Sequence, residues 1–500
     1  FLAGLSVLRR LLGWASGIGG VAAAVLDEAV RMRSAVVMLV GFIALVAVLP
    51  LLIGTDERLA YRVQFLIEWT LGGAGLFLSL LTVFLACGTV GGDIESGRIH
   101  LTLAKPIRRW EYLVGKWLGI VLYDMLLVAL AGTAVYALVQ LLAAGPAADE
   151  SDRQALEREV LTARRELAPH PDRPEDYESA ITAAIARLEA DEPEAFGQHP
   201  EAVRARIRRE YASQWHTVTP DMETTFVFPG REIAGGRASA VQLQLEPRVT
   251  NVDVDLADVR FAIWLDDHPW PMTNGIHTEI TLASRVRQVL DLPRDRMPES
   301  GDLRVRIANR NLVPPGETRA TAITFPPGDG MKLLVREGSF QANLIRCLMV
   351  MWSKLALVAA VGVAAGAMLD LPLAILTALI FYMAAVGNDF FGAALGPYNV
   401  TAAGTWERAI ERLSYTAGFL RTGQPGHAFR MALAMLTDGI LAALPSFSSD
   451  AAVSHLATGV AIPLRDVVSR LVLFGGVYSC AIGAIGWYVF ERRDLVRSSA

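Results

Sequence analysis

Apolar residues along this chain gather into runs of about twenty, the length an α-helix needs to cross a hydrocarbon core of about 30 Å without leaving backbone groups unpaired. Five runs are clean: Ala35 to Gly54, Trp69 to Val90, Met125 to Ala144, Leu371 to Asn388 and Leu471 to Phe490. A sixth, Leu344 to Leu369, holds Arg346 and Lys354 as its only charges, and basic side chains near a helix end are expected to snorkel to the headgroups. The pattern predicts an α-helical membrane protein with six transmembrane helices.

Between the third and fourth runs the pattern changes twice. From Asp149 to Met222 helical spacing is seen at Leu156, Val160 and Leu161, then at Ile181, Ile185 and Leu188, with Pro169, Pro171 and Pro174 between, which predicts a helical hairpin over 145–222. From Thr224 short alternating segments follow, among them Thr225 to Phe228, Val241 to Leu245, Val259 to Trp264 and Leu303 to Ile307. Turn residues separate them, so a β-sandwich-like domain is expected over 223–340. Trp264, Trp270 and His268 either line a sugar- or peptide-binding face there or are one core Trp and turn residues. The chain thus divides into 1–144, the α+β insert 145–340, and 341–500. Within the last, 389–470 leaves the membrane, and Ala428 to Leu444, interrupted by Arg430 and Asp438 and stopped by Pro445, is expected to be re-entrant or interfacial.

Charge orients the spans. Arg9, Arg10, Arg31 and Arg33 precede the first; Arg98, Lys105, Arg108, Arg109 and Lys116 fill the connection between the second and third; Arg492, Arg493 and Arg497 follow the last. Placing all three clusters inside leaves both termini cytoplasmic, the insert extracytoplasmic, and the protein in the inner (cytoplasmic) membrane. Phe1 to Leu12 lacks the pattern of a cleaved signal peptide and is read as a cytoplasmic start.

Composition agrees with this division. Of 500 residues 53% are hydrophobic, too many for a set of soluble domains, while the 19% that are charged must be gathered in the insert and the loops. A net charge of -5, with no basic stripe outside the membrane flanks, gives no reason to expect nucleic acid as a partner. Cys87, Cys347 and Cys480 lie in or beside apolar runs and offer neither a disulfide framework nor metal-ligand spacing.

The connection from Gly91 to Lys116 carries the most information. It reads as a short amphipathic helix in which Ile94, Leu101 and Leu103 press on an apolar surface while Asp93, Glu95 and Arg98 face water or a partner. Pro106 ends it, and the next helix starts at Arg108 and Arg109. The order of Asp93, Glu95, Gly97, Arg98, Pro106, Arg108, Arg109, Trp110 and Lys116 along this loop resembles the signature of ABC-2-type permeases. Leu8 to Arg33 resembles that family's N-terminal interface helix, and Phe490 to Leu495 its usual C-terminus. The resemblance covers the membrane part. It implies that 91–116 forms a coupling helix seated in a groove of a separate cytoplasmic ABC ATPase subunit, and that a second permease subunit, identical or related, completes the complex. The large insert departs from the short loop usual in the family.

Chemistry of the chain's own is not evident. There is no phosphate-binding loop, no HExxH and no GxSxG, so neither catalytic residues nor a cofactor are expected. Two carboxylates, Asp124 in the third span and Glu68 at the outer start of the second, are the candidate intramembrane polar residues. Together these features point to the permease subunit of an ABC exporter. Two other classes stay open: a mechanotransmission or envelope-complex subunit that works through its insert, and a membrane-anchored binding module without an ATPase.

Overall fold

The computed structural model describes residues 2–13, 17–31, 58–104, 106–145, 150–191, 200–220, 222–230, 241–249, 258–273, 276–293, 301–311, 321–395, 445–447 and 452–493, with a few isolated positions. The first expected span, Ala35 to Gly54, and the expected re-entrant segment, Ala428 to Leu444, lie almost wholly outside them. Two compact units are present.

The membrane unit draws on residues of 1–163, 338–394 and 440–500. Its helices are α1 (Leu2–Gly13), α2 (Ile18–Arg31), α3 (Leu59–Glu95), α4 (Arg98–Leu103), α5 (Arg109–Ala143), α6 (Glu150–Ala155), α7 (Phe340–Met368), α8 (Leu371–Leu395), α9 (Ala452–Ala457) and α10 (Leu464–Arg492). Among the described residues five helices are long and apolar enough to cross a membrane: α3, α5, α7, the Leu371–Asn388 part of α8, and α10. Hydropathy marks only the part of a helix sunk in hydrocarbon. α3 and α5, at 37 and 35 residues, therefore begin well before the expected Trp69 and Met125, and α3 also runs on past Val90 to Glu95.

Small residues set how closely these helices approach. A Cβ on Gly362 of α7 would lie 2.5 Å from the Ala86 Cβ of α3, and one on Gly366 would lie 3.1 Å from the Cys87 carbonyl oxygen. The spacing of four puts both on one face, the small-residue seam that lets backbones touch in lipid. Halfway along α10, Leu471–Tyr478 winds as a π-helix, and the Ser479 hydroxyl takes up the displaced Phe474 carbonyl at 2.6 Å. At the N-terminus of α3 the Asp152 carboxylate accepts from the Leu59 amide at 3.0 Å, a cap supplied from α6.

Arg346 and Lys354 do not snorkel. Arg346 donates to the Ile462 carbonyl (3.0 Å) and Lys354 to the Phe447 carbonyl (2.8 Å), while the Phe447 amide donates to the Ala385 carbonyl (2.9 Å). Non-helical backbone meets the helix bundle at these points and supplies the oxygens that the two cations bind. Such backbone is tolerated in a membrane only where protein groups satisfy it.

The second unit is described mainly by residues within 164–337. Here the first arm of the expected hairpin is short: α6 (Glu150–Ala155) continues into a π-helical turn, Leu156–Val160, and β1 (Thr162–Leu167) follows it directly. Two helices, Pro174–Asp191 and Pro200–Trp215, do form a pair, joined by Arg208 and Glu178 and by the Tyr177 and Trp215 rings. A four-stranded sheet joins β1, Met331–Ser339, Val241–Leu245 and Gln288–Leu292 in that order. A larger sheet is centred on Asp258–Leu265, Leu303–Asn309 and Glu223–Phe228. The strand pairings of known register are antiparallel, and residues from both sheets share one core that includes Phe226, Leu243, Phe261, Val305 and Leu333.

Trp264 and Trp270 do not share a face. Trp270 pairs with the buried Ile263 and packs on the core, whereas Trp264 points the other way, beneath the Arg306 guanidinium and beside His277; His268 is exposed.

Candidate functional site

The loop between α3 and α5 is built around a helix break. α3 ends at Glu95, Ser96 returns its hydroxyl to the Gly92 carbonyl (2.5 Å), and Gly97 takes a φ of +70°, a left-handed conformation that strains any residue with a Cβ. The break resets the helical phase, so the face that begins at Ile94 does not continue into α4. Ile99 is the buried residue of α4, Ile94 is half-buried, and Leu101, expected to press on an apolar surface, is 74% exposed. Leu103 lies on α4 but its side chain is outside the described set.

Behind α4 four charged side chains balance one another. The Lys116 ammonium of α5 donates to Asp93 Oδ2 (2.8 Å), the Thr89 carbonyl (2.9 Å) and Glu28 Oε2 (3.3 Å), which uses all three of its protons. Asp93 Oδ2 also accepts from the Tyr112 hydroxyl (2.9 Å), and Arg98 Nε lies 3.3 Å from Asp93 Oδ1. The other arm of Arg98 reaches Glu28 Oε1 (3.4 Å). Two cations thus face two carboxylates, and the Lys116 and Asp93 side chains are only 5% and 9% exposed. A charge pair that deep holds only with its hydrogen bonds complete, as they are here. The network joins α2 (Glu28), the end of α3 (Thr89, Asp93), α4 (Arg98) and α5 (Tyr112, Lys116).

The glycines of α5 bring α2 close enough. A Cβ on Gly115 would lie 2.7 Å from the Val21 Cβ, and one on Gly119 would lie 2.7 Å from the Val25 Cβ and 2.8 Å from the Ala22 carbonyl oxygen. An ion pair between Arg9 and Asp27 then ties α1 to α2.

Arg109 serves a different element. Its guanidinium donates to the carbonyls of Phe490 (2.7 Å), Glu491 (3.1 Å) and Arg493 (3.3 Å), closing the C-terminus of α10, while Arg493 does the same for Ala367 at the end of α7 (3.0 Å). Cations at helix C-termini satisfy orphan carbonyls and oppose the helix dipole. The ends of α7 and α10 and the start of α5 therefore meet at one end of the bundle.

Of the residues singled out in the sequence, Asp93, Arg98 and Lys116 come together and Gly97 makes the break that allows it. Glu95, Pro106 and Arg108 are exposed outside the network, with the Arg108 amide capped by Glu111 (2.8 Å), and Trp110 is partly exposed at the start of α5. Glu28, Tyr112 and Thr89 were not foreseen. The Asp27–Glu28 pair on an otherwise apolar helix was the available signal, as was Tyr112, one turn before Lys116. Asp124 is fully buried, with Thr82 Oγ1 3.0 Å from its Oδ2 and no partner at its Oδ1. Glu68 is exposed, ten residues into α3.

Residues 14–152, which hold this charge network complete, match the family described as ABC-2 family transporter protein. Over this stretch the chain is similar to ABC-2-type permeases. Permeases of this type are transport components of membranes that normally work with an ATPase subunit and are not normally catalytic themselves. The matched stretch stops short of the β-rich unit and of α7, α8 and α10. No curated protein and no solved structure matches the chain.

Proposed function

We propose that this chain is the permease subunit of an ABC exporter. In this role α4 docks on a separate cytoplasmic ATPase subunit, two permeases line the pathway, and ATP binding drives outward movement of a solute. The observation that carries the proposal is the neutral four-charge network directly behind α4. It makes α2, the end of α3, α4 and the start of α5 one block, so a push on α4 moves two long helices rather than bending a loop. Leu101, Glu95 and the exposed flank of Arg98 are the surface such a partner would grip. Six spans, with both termini and the basic clusters inside and the insert outside, complete the arrangement.

A second reading, mechanical work on the insert instead of solute movement, is favoured by one feature. The last strand of the insert, Met331–Ser339, continues into α7 at Phe340 without a linker, and Ser339 is itself the helix N-cap.

Glu95→Ala and Leu101→Asp test the docking. Each leaves the network intact, so the protein should purify as a folded species, while co-purification of the ATPase subunit from native membranes should fall about tenfold, the effect of losing one hot-spot contact. Undiminished co-purification with both variants would remove α4 as the docking element.

A further inference from the structure

A groove of about 450 Å³ opens between α5, α7 and α10. Trp110, Leu113 and Trp117 line it from α5, Ala364 from α7, and Gly483 and Trp487 from α10. The indole of Trp117 is already committed to the Ala356 carbonyl (2.9 Å), and the Ser479 hydroxyl at its edge to that of Phe474. The groove therefore offers an occupant mainly hydrocarbon contact, within the size range of about 300–1,000 Å³ that holds small ligands.

Its depth fits one leaflet. Trp110 is the second residue of α5 and Trp487 lies five residues before the end of α10, whereas Cys480, at the inner limit, lies twelve before it. At 1.5 Å per residue the groove covers roughly the first 18 Å from the helix ends, against about 15 Å for half of a hydrocarbon core. The mouth is basic. Arg109 and Arg493 are held on helix-end carbonyls, but Arg108 and Arg492 are exposed beside them, the latter 4.3 Å over the Tyr488 ring. The facing carboxylates are Glu111, on the Arg108 amide, Glu491, and Asp370, 3.6 Å from Arg493. Among the described residues four guanidiniums stand against three carboxylates at this rim, and planar guanidinium forks match phosphate oxygens.

We propose that this groove binds an anionic phospholipid from the leaflet that meets the basic ends of α5 and α10, with an acyl chain against the tryptophans and the phosphate at Arg108 and Arg492. Neither the direction of transport nor ATPase docking enters this assignment.

The chain carries its own reporter. Cys480 lines the groove and is exposed, while Cys87 and Cys347 are buried. In full-length protein in mixed micelles, excess phosphatidylglycerol should slow alkylation of Cys480 by N-ethylmaleimide about tenfold, as expected for a site about nine-tenths occupied, and phosphatidylcholine should protect far less. Arg108→Gln with Arg492→Gln should abolish the difference between the two lipids. Gly483→Leu should make the rate independent of lipid, because a Cβ there meets nothing within 4 Å and the side chain fills the groove without disturbing packing. Three results would overturn the assignment: equal protection by both lipids, a rate that neither lipid changes, or protection that rises with protein concentration and yields Cys480–Cys480 crosslinks, which would mean that a second copy covers the groove.

Discussion

Lys116 is the residue on which the Gly97 end of the bundle closes. Its ammonium faces Asp93 and Glu28 from a buried position, so Lys116→Met leaves two carboxylates to share Arg98, strands one negative charge and should cost about 3 kcal/mol, as breaking one side of a buried pair does. Asp93→Asn in addition leaves Glu28 with Arg98 and removes the stranded charge. The double variant should therefore recover much of the lost thermal stability in detergent, by scanning fluorimetry of all four proteins. Additive losses would mean the two side chains are not coupled. Lys116, Asp93 and Arg98 were legible in the sequence because they stand in a recognisable order within one loop. Glu28 was not, since its role depends on a contact between positions 88 residues apart that no local pattern reports.

The elements show the same division. Hydropathy locates the hydrocarbon-embedded parts of α3, α5, α7, α8 and α10, because burial in lipid is written in composition. It misplaced their ends and put Leu101 on the wrong face, because the turn at Gly97 resets a helical phase that continuous periodicity assumes. What clamps α2 to α5 is the pair Gly115 and Gly119, with a Cβ at either site 2.7 Å from a valine Cβ. Gly119→Ala overpacks this seam, and shifts of this kind cost about 1–3 kcal/mol. α2 should then open locally, so trypsin should cut faster after Arg31 and Arg33 while the long helices stay protected. Gly72→Ala, where an added Cβ meets nothing within 4 Å, is the matched control and should leave the cleavage rate unchanged. Equal rates in all three proteins would show that α2 is held by its charges and not by close packing.

Among the described residues the helix bundle and the insert each have apolar cores of their own, and the insert carries a pH dependence of its own. The strands of that insert were legible because alternation marks a half-buried sheet, but its first expected helix stops at Val160 and gives way to β1, because a pairing partner far along the chain, Met331–Ser339, takes over there. His216 ends the Pro200–Trp215 helix, is 7% exposed, lies against Trp215 and Phe226, and has Nδ1 2.7 Å from the Ala212 carbonyl. Burial lowers its pKa, and the hydrogen bond to Ala212 only partly opposes this. The native insert therefore holds His216 neutral where the unfolded chain already binds a proton. Above the ordinary histidine value of about 6.5 neither state is protonated and the contribution is complete; as pH falls below it the unfolded state gains protons first and stability is lost, until the native pKa is reached. Lys332 does not enter this window. Burial pulls its pKa down, but the hydrogen bonds and charges of Glu166 and Asp329 outweigh that and raise it, so its contribution is intact below the ordinary lysine range and lost only as pH rises through the raised value. In the intact protein, amide protection in Asp258–Leu265 and Leu303–Asn309, corrected for intrinsic exchange, should thus fall between pH 7.5 and pH 5.5. His216→Asn keeps a donor near the Ala212 carbonyl but cannot titrate, and should flatten that fall; the same pH dependence in the variant would place the sensitivity on another group.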